Sequence, residues 1–191
     1  MELICEERNR KDKKIIAEID STLTFKSKFL PSSFSVSKVE KEKQFYVFKA
    51  IQPKYRSNFE YRKEIINEIK SLKFAHGIQG VNSLIQTYYD GKFPLAFLKD
   101  FHEGKTLFEL DRYINNTTIQ SKLQNMIKEL HSVGICNFKD LFKRNIIISP
   151  CGKNFYLIDL AQVSFRDEIS HIKFEVYKNR DYINLEQNIF K

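Results

Sequence analysis

Asp140 precedes Asn145 by five residues, and an apolar run, Ile146-Ile147-Ile148, follows the asparagine at once. A turn over Ser149 to Asn154, with Pro150 and Gly152, leads into a second apolar run that ends on Asp159. Two strands joined by that turn bring two carboxylates and one carboxamide to the mouth of one hairpin. Hard oxygen donors of this kind suit Mg²⁺, which keeps several waters and accepts few protein ligands. Such a set can hold the metal against a nucleotide triphosphate and orient a hydroxyl for attack.

Other elements must position these groups. Residues 29–50 alternate as strands do, with a hairpin turn near Glu40 to Lys43. Phe45, Val47 and Lys49 share one face of the second strand, and Tyr46 and Phe48 share the other. Asn58 to Lys73 reads as a helix with Ile65, Ile69 and Leu72 on one stripe. Ser83 to Tyr88 and Pro94 to Phe101 read as strands about the turn Asp90-Gly91-Lys92, since Asp-Gly favours a tight hairpin. Thr118 to Ser132 is an amphipathic helix with Ile119, Leu123, Met126, Ile127 and Leu130 as its core stripe. His131 closes it as a structural histidine, before a C-terminal cap at Gly134. Glu175 to Phe190 reads as a terminal helix, in which Arg180 and Asp181 are either an inward pair bracing the Asp140 loop or an exposed charged pair. Ile15 to Ile19 fits a short helix or an edge strand, and the charged residues 6–14 read as solvated.

Phe138-Lys139-Asp140-Leu141-Phe142-Lys143-Arg144-Asn145 and Asp159-Leu160-Ala161 resemble the H-R-D-L-x-x-x-N and D-F-G segments of the protein kinase superfamily. Tyr46-Val47-Phe48-Lys49-Ala50 resembles the strand that carries the family's phosphate-contacting lysine. Glu68, 19 residues on, resembles the helix glutamate that pairs with it. Phe101-His102-Glu103-Gly104-Lys105-Thr106-Leu107 is similar to the segment past the hinge, and Leu130 to Ile135 to the approach to the catalytic loop. Residues 30–165 thus match in order, which outweighs any single motif. The chain departs from the pattern in three places. Phe138 stands where the family has histidine, the stretch from His131 to Asp140 is one residue longer, and the phosphate-loop counterpart Ser32-Ser33-Phe34-Ser35 has no glycine.

The resemblance implies an α+β, two-lobed protein-kinase-like fold in a single domain over residues 1–191. Residues 29–100 would form a small antiparallel sheet plus a helix, and residues 101–191 a reduced, mostly helical lobe. Residues 1–28 would be an extension of unassigned structure. It also implies ATP and Mg²⁺ as cofactors. Lys49 would contact the α- and β-phosphates, with Glu68 holding it, and Ser33 and Ser35 would cover the phosphates. The backbone from Asp100 to His102 would hold the adenine edge. Asn145 and Asp159 would ligate the metal, and Asp140 would take the acceptor's proton. Lys139 would stand in for the motif arginine.

A-P-E is absent, and the chain continues only 32 residues past Asp159. Lys178-Asn179-Arg180-Asp181-Tyr182-Ile183-Asn184-Leu185-Glu186 resembles the tail of bacterial lipopolysaccharide core kinases. That branch implies a heptose or Kdo hydroxyl, on a sugar or a lipid-linked saccharide, as acceptor. Lys143 and Arg144, between the two site residues, suit an acidic or phosphorylated acceptor. Small atypical protein kinases of the Bud32 or RIO kind are the alternative branch, and a non-catalytic pseudokinase scaffold is a third reading.

Composition bounds these readings without choosing among them. A hydrophobic fraction of 42% with 17 Phe is ample for a core and argues against disorder. The net charge of +8 attracts nucleotide, phosphosugar, anionic lipid or nucleic acid alike. No nucleic-acid motif accompanies it, so nucleic acid is not expected as a partner. Three cysteines without a CxxC pair suggest neither a disulfide framework nor a zinc site, and Cys136 reads as a small apolar filler. Neither an 18-residue apolar run nor a signal-peptide core is present, so a cytoplasmic location is expected. Peripheral contact with an anionic membrane would follow from a lipid-linked acceptor. The sequence carries no signal of oligomeric state.

Overall fold

Buried residues alternate along Phe34–Lys41 (β2) from Ser35 to Val39, as a pleated strand with one face on a core requires, whereas Gln44–Ile51 (β3) is buried on both faces over its last four residues. The two strands pair antiparallel from Phe34↔Ile51 to Lys41↔Gln44. They turn through Glu42 and Lys43, both at positive φ, as a two-residue hairpin turn requires. A computed structural model describes residues 2–29, 33–110 and 117–190 of the chain. Ser32 and the side chain of Cys5 lie outside the described residues. The chain divides into two units, one of Met1–Ile69 and Leu84–Phe101, the other of Lys70–Ser83 and His102–Lys191.

In the first unit β2 and β3 belong to a five-stranded antiparallel sheet. Thr24–Lys28 (β1), Leu84–Asp90 (β4) and Phe93–Asp100 (β5) complete it in the order β1-β2-β3-β5-β4. The expected Asp-Gly hairpin forms between β4 and β5, with Gly91 at φ 59°. The helix read over Asn58–Lys73 forms as Phe59–Phe74 (α2). Asn58 caps it, its side-chain oxygen accepting the N–H groups of Glu60 and Tyr61. Residues through Ile69 of this helix belong to the first unit.

Residues 1–28 are built into this unit. Glu2–Ile19 is one 18-residue helix (α1). Its Ile15 and Ile16 are buried with Leu23, Val39, Phe48, Ala50, Ala96 and Leu98. Burying two such side chains stabilises by about 1.5–3 kcal/mol each, which docks the end of α1 on residues of the sheet. The reading of residues 6–14 as solvated fails at Asp12. That residue is buried, accepts a hydrogen bond from the Ser35 hydroxyl at 2.6 Å and pairs with Lys28 at 2.6 Å.

In the second unit Thr117–Ser132 (α3) buries the expected stripe, Ile119 through Leu130. Gly134, at φ 91°, ends it as the predicted cap, its N–H bonding the His131 carbonyl. Lys105–Thr106 (β6), Ile146–Ile148 (β8) and Phe155–Leu157 (β9) form a three-stranded sheet in the order β6-β8-β9. Ile135–Cys136 (β7) pairs with Ser164–Phe165 (β10). The terminal helix starts earlier than its apolar pattern suggested, at His171, and runs to Leu185 (α4). Ser170 caps it by accepting the Lys173 N–H, and a π-helical turn, Glu186–Phe190, follows. No helix among the described residues is long and apolar enough to cross a membrane.

Candidate active site

Lys49 and Glu68 meet within the first unit. Strand β3 points Lys49 to the same face as Val47, and the two face Phe97 and Lys99 of β5 in register. The α2 stripe that buries Ile65 and Ile69 carries Glu68 inward with them. The Lys49 ammonium lies 2.5 Å from Glu68 Oε2, and Glu68 is fully buried. The Phe34 ring lies 4.8 Å from the same ammonium. A buried carboxylate loses its hydration, and charge-assisted hydrogen bonds must offset that loss.

A second lysine does the same work. Lys99 Nζ donates to Glu68 Oε1 at 2.5 Å and is itself buried. The sequence reading missed it. The signal available was parity: Lys99 lies two residues after Phe97, on the face of β5 that meets Lys49.

The serines expected over the phosphates are placed unequally. Ser33 is exposed, just before β2. Ser35 is fully buried, and its hydroxyl is committed to Asp12 of α1. Strand alternation is the reason: Ser35 and Ser37 both point inward between core residues. Asp100 ends β5 opposite Tyr46. His102 lies beyond the sheet, its ring stacked on Tyr156 with centroids 3.5 Å apart.

In the second unit the loop after β7 is tied down from several sides. Asn137 takes a left-handed conformation at φ 63°, and the chain turns there. The N–H groups of Asn137 and Phe138 then donate to Asp181 at 2.8 and 2.9 Å. His131 Nε2 lies 3.0 Å from the same carboxylate, and Asp181 is fully buried. Arg180 donates to the Asn137 side-chain oxygen. The inward bracing expected of Arg180 and Asp181 therefore exists, but through Asn137 and the loop backbone. Lys139 N–H bonds the Gln162 carbonyl at 3.1 Å, which leaves the Lys139 side chain at the surface.

Asp140, Asn145 and Asp159 gather on this frame. Asn145 Nδ2 donates to the Asp140 carbonyl at 2.8 Å, and the Ile158 N–H donates to the Asn145 carbonyl at 3.0 Å. A 3-10 turn, Lys143–Asn145, feeds the asparagine into β8. Strand β9 pairs with β8 from Ile146↔Leu157 to Ile148↔Phe155 and delivers Asp159 two residues past its end. Asp159 Oδ1 accepts the Ala161 N–H at 3.0 Å, which fixes the turn there. Asp140 and Asp159 line one shallow depression with Phe138, Leu141 and Gln162.

The donor chemistry fits a hard divalent cation. With Asn145 Nδ2 turned to a carbonyl, the other end of its amide is an oxygen, and Asp159 offers a carboxylate. Among the described residues no group of three or more His, Cys, Asp or Glu could hold a metal ion. An ion here would draw its remaining ligands from water and phosphate, as Mg²⁺ ordinarily does. Cys136 is buried, and burial, with the Asp181 charge second, pushes its thiol up to about 12, consistent with an inert filler.

No protein-family model matches the sequence, and no curated protein matches it either. Solved structures do match. Among them is the Cydia pomonella granulovirus kinase PK-1, with a TM-score of 0.60 and 17% identity over 82% of this chain. The chain spans 57% of the length of that kinase. With its antiparallel five-stranded sheet and its helices, the chain has an α+β, protein-kinase-like fold.

Proposed function

We propose that this chain is an ATP- and Mg²⁺-dependent phosphotransferase with an alcohol hydroxyl as acceptor. The observation that carries the reading is the buried Lys49–Glu68 pair at 2.5 Å. A lysine held so on a strand has its position set before nucleotide arrives, and phosphoryl transfer depends on positioning and charge neutralisation more than on covalent help. In this reading Lys49 holds the α- and β-phosphates, and Asn145 and Asp159 hold the metal. Mg²⁺ held there would supply positive charge against the charge that develops on the transferred phosphoryl group. Asp140 accepts a hydrogen bond from the attacking hydroxyl and takes its proton late. The backbone from Asp100 to His102 lies against the adenine edge, and the exposed Ser33 approaches the phosphates.

The acceptor we favour is a sugar hydroxyl of lipopolysaccharide core, heptose or Kdo. Three features support it. The tail from Lys178 to Glu186 resembles that branch. Only residues 160–170 separate Asp159 from α4, so no long segment intervenes. Lys139 and Arg144 are exposed on the segment between Phe138 and Asn145 that carries Asp140, and such cations suit a phosphorylated acceptor. A lipid-linked acceptor would place the protein in the cytoplasm, against the inner face of an anionic membrane. A small atypical protein serine/threonine kinase is the second reading, favoured by the fold match to the granulovirus kinase.

Purified protein mixed with ATP, Mg²⁺ and deacylated core oligosaccharide should consume ATP and label the sugar. Labelling of protein alone selects the second reading. If Asp140→Ala and Asp159→Ala leave ATP consumption unchanged, the phosphotransferase reading falls.

A further inference from the structure

A cavity of about 170 Å³ lies within the second unit and shares no lining residue with the Asp140 depression. At about 30 Å³ of liquid per water, it has room for about five or six waters. That is the size of a small polar solute. Three pieces of chain build it. Gln79 and Gly80 follow α2, Lys122 comes from α3, and Lys153 and Asn154 come from the turn that enters β9.

The walls are fixed without using up the polar groups on them. The Gly80 carbonyl accepts the Leu157 N–H at 2.7 Å. Gly80 is itself close-packed, since an added Cβ would lie 3.1 Å from the buried Phe155 that lines the floor. Asn154 is held by its backbone, with its N–H on the Ser149 hydroxyl at 3.1 Å and its carbonyl on the Ser149 N–H at 2.9 Å. Lys122 Nζ donates to the Lys153 carbonyl at 2.7 Å, which ties α3 to the turn. Walls formed in advance spare a ligand the cost of ordering them.

Lys122 spends one of its three N–H groups on that carbonyl. The Lys153 ammonium has no hydrogen-bond or ion-pair partner among the described residues, and the carboxamides of Gln79 and Asn154 make no side-chain hydrogen bond there. No carboxylate lines the cavity. Two ammonium groups without an offsetting acid attract an anion. Their combined charge matches a phosphate monoester, at about −1.5 to −2 near neutral pH. Each carboxamide offers both donors and an acceptor, and a hydroxyl answers both.

We propose that this cavity is a binding site for a small phosphorylated sugar. Lys122 and Lys153 hold the phosphate, and Gln79 and Asn154 hold the hydroxyls of the sugar. The site is separate from the one assigned to phosphotransfer and does not depend on that reading.

The test is equilibrium binding of glucose 6-phosphate, glucose and inorganic phosphate to the full chain at low salt. Glucose 6-phosphate should bind more tightly than either part alone. Lys122→Met and Lys153→Met should each weaken it about fivefold, the worth of one exposed ion pair at its upper end, and the double variant should weaken it more than about twentyfold. Gln79→Ala and Asn154→Ala should weaken glucose 6-phosphate and leave inorganic phosphate unchanged. Lys128→Met removes an exposed charge from α3 outside the cavity and should change neither. All these side chains are exposed, so the variants should fold, and the thermal midpoint checks that they do. If Lys128→Met weakens binding as much as Lys153→Met, the ligand answers only to the basic surface and the proposal falls. It falls also if inorganic phosphate binds as tightly as glucose 6-phosphate, or if the parent binds neither at millimolar concentration. Binding that survives the double lysine variant and is lost in Asp140→Ala would put the sugar in the Asp140 depression, which overturns this site and leaves the phosphotransferase reading standing.

Discussion

The backbone N–H of Phe138 donates to the carboxylate of Asp181 at 2.9 Å, across 43 residues of sequence. Asp181 thereby holds the loop through its backbone, with no polar side chain needed at position 138. With Asn137 N–H and His131 Nε2 on the same carboxylate, one buried charge organises the end of α3, the turn at Asn137 and the entry to Asp140. Phe138 is released from any polar duty and sits buried beside the His131 ring, the centroids 6.0 Å apart.

Asp181→Ala should therefore destabilise the chain by about 3–5 kcal/mol, since it strands buried donors that have no water to turn to. Urea unfolding of the parent and the variant measures this. An unchanged midpoint would show that the loop holds itself. Any phosphotransfer activity should fall as well, because the brace and Asp140 are only three residues apart along the loop.

The two ends of the Asn145 amide differ in chemistry. Its Nδ2 holds the Asp140 carbonyl at 2.8 Å, and its oxygen is the atom suited to a metal. Asn145→Asp keeps the oxygen and removes the donor. Stability should drop by only about 1 kcal/mol, the net worth of one hydrogen bond. The transfer rate should drop about a hundredfold, because a misplaced loop costs far more in rate than in stability. Comparing kcat with the denaturation midpoint separates the two. Loss of both in proportion would assign Asn145 a structural role alone.

What could be read from the sequence was what local chemistry decides. The β2–β3 hairpin, the Gly91 turn and the α3 stripe follow from alternation, turn residues and helical periodicity, and each formed where its pattern lay. Glu68 was placed by its distance from Lys49 and by the Ile69 and Leu72 that flank it. The failures share one cause. Asp12, Ser35 and Lys99 are polar residues whose burial depends on partners far away in sequence, and no local pattern marks a polar side chain as inward. Helix α1 is legible in the sequence only as two alternatives over Ile15 to Ile19, a short helix or an edge strand, because the surface that buries Ile15 and Ile16 is built by strands that follow. The start of α4 was missed because Ile172, its first apolar residue, is 78% exposed and sets no periodicity.

Acid should loosen the first unit through Asp20. Burial works to raise its pKa, but hydrogen bonds from the Thr22 hydroxyl, the Tyr88 hydroxyl and the Thr22 N–H outweigh burial, with Lys41 assisting, and hold it below the ordinary 3.8. A depressed native pKa means that the unfolded chain binds the proton first. The stabilisation is therefore complete above the unfolded value and is lost as pH falls through the native one. Asp20→Asn should cost stability at pH 6 and cost progressively less as pH drops below 3.8. Midpoints of urea unfolding at several pH values test the sign, and a gap that widens in acid would contradict it.

Gly104 is required by close approach. A Cβ added there would overlap the backbone carbonyl of Ile148, the residue that Lys105 of β6 faces in the sheet. Backbone cannot swing aside as a flexible side chain can, so Gly104→Ala must part β6 from β8. The expected cost is about 1–3 kcal/mol, as for other overpacked sites. Differential scanning calorimetry of Gly104→Ala against Gly152→Ala makes an internal control, because an added Cβ at Gly152 meets nothing. Gly152 carries only the penalty of its positive φ, 69°. Equal losses at the two positions would mean that contact with Ile148 is not the cause.

The cysteines make a probe of the Asp140 loop that needs no substrate. Cys136 precedes Asn137 in the braced turn, is fully buried, and has its thiol pushed up to about 12. Cys151 lies exposed in the turn between β8 and β9, with a thiol pKa lowered chiefly by the Ser149 hydroxyl. Only the thiolate attacks alkylating reagents. Iodoacetamide at pH 7.5 should label Cys151 within minutes and spare Cys136 until the loop opens, as read by peptide mapping with mass spectrometry. In Asp181→Ala the brace on Asn137 and Phe138 is gone, and the negative charge that helps raise the Cys136 pKa goes with it. Labelling of Cys136 should then accelerate by at least about tenfold, while that of Cys151 stays constant. Protection of Cys136 that survives the loss of Asp181 would place the stability of this loop in the β7–β10 pairing instead.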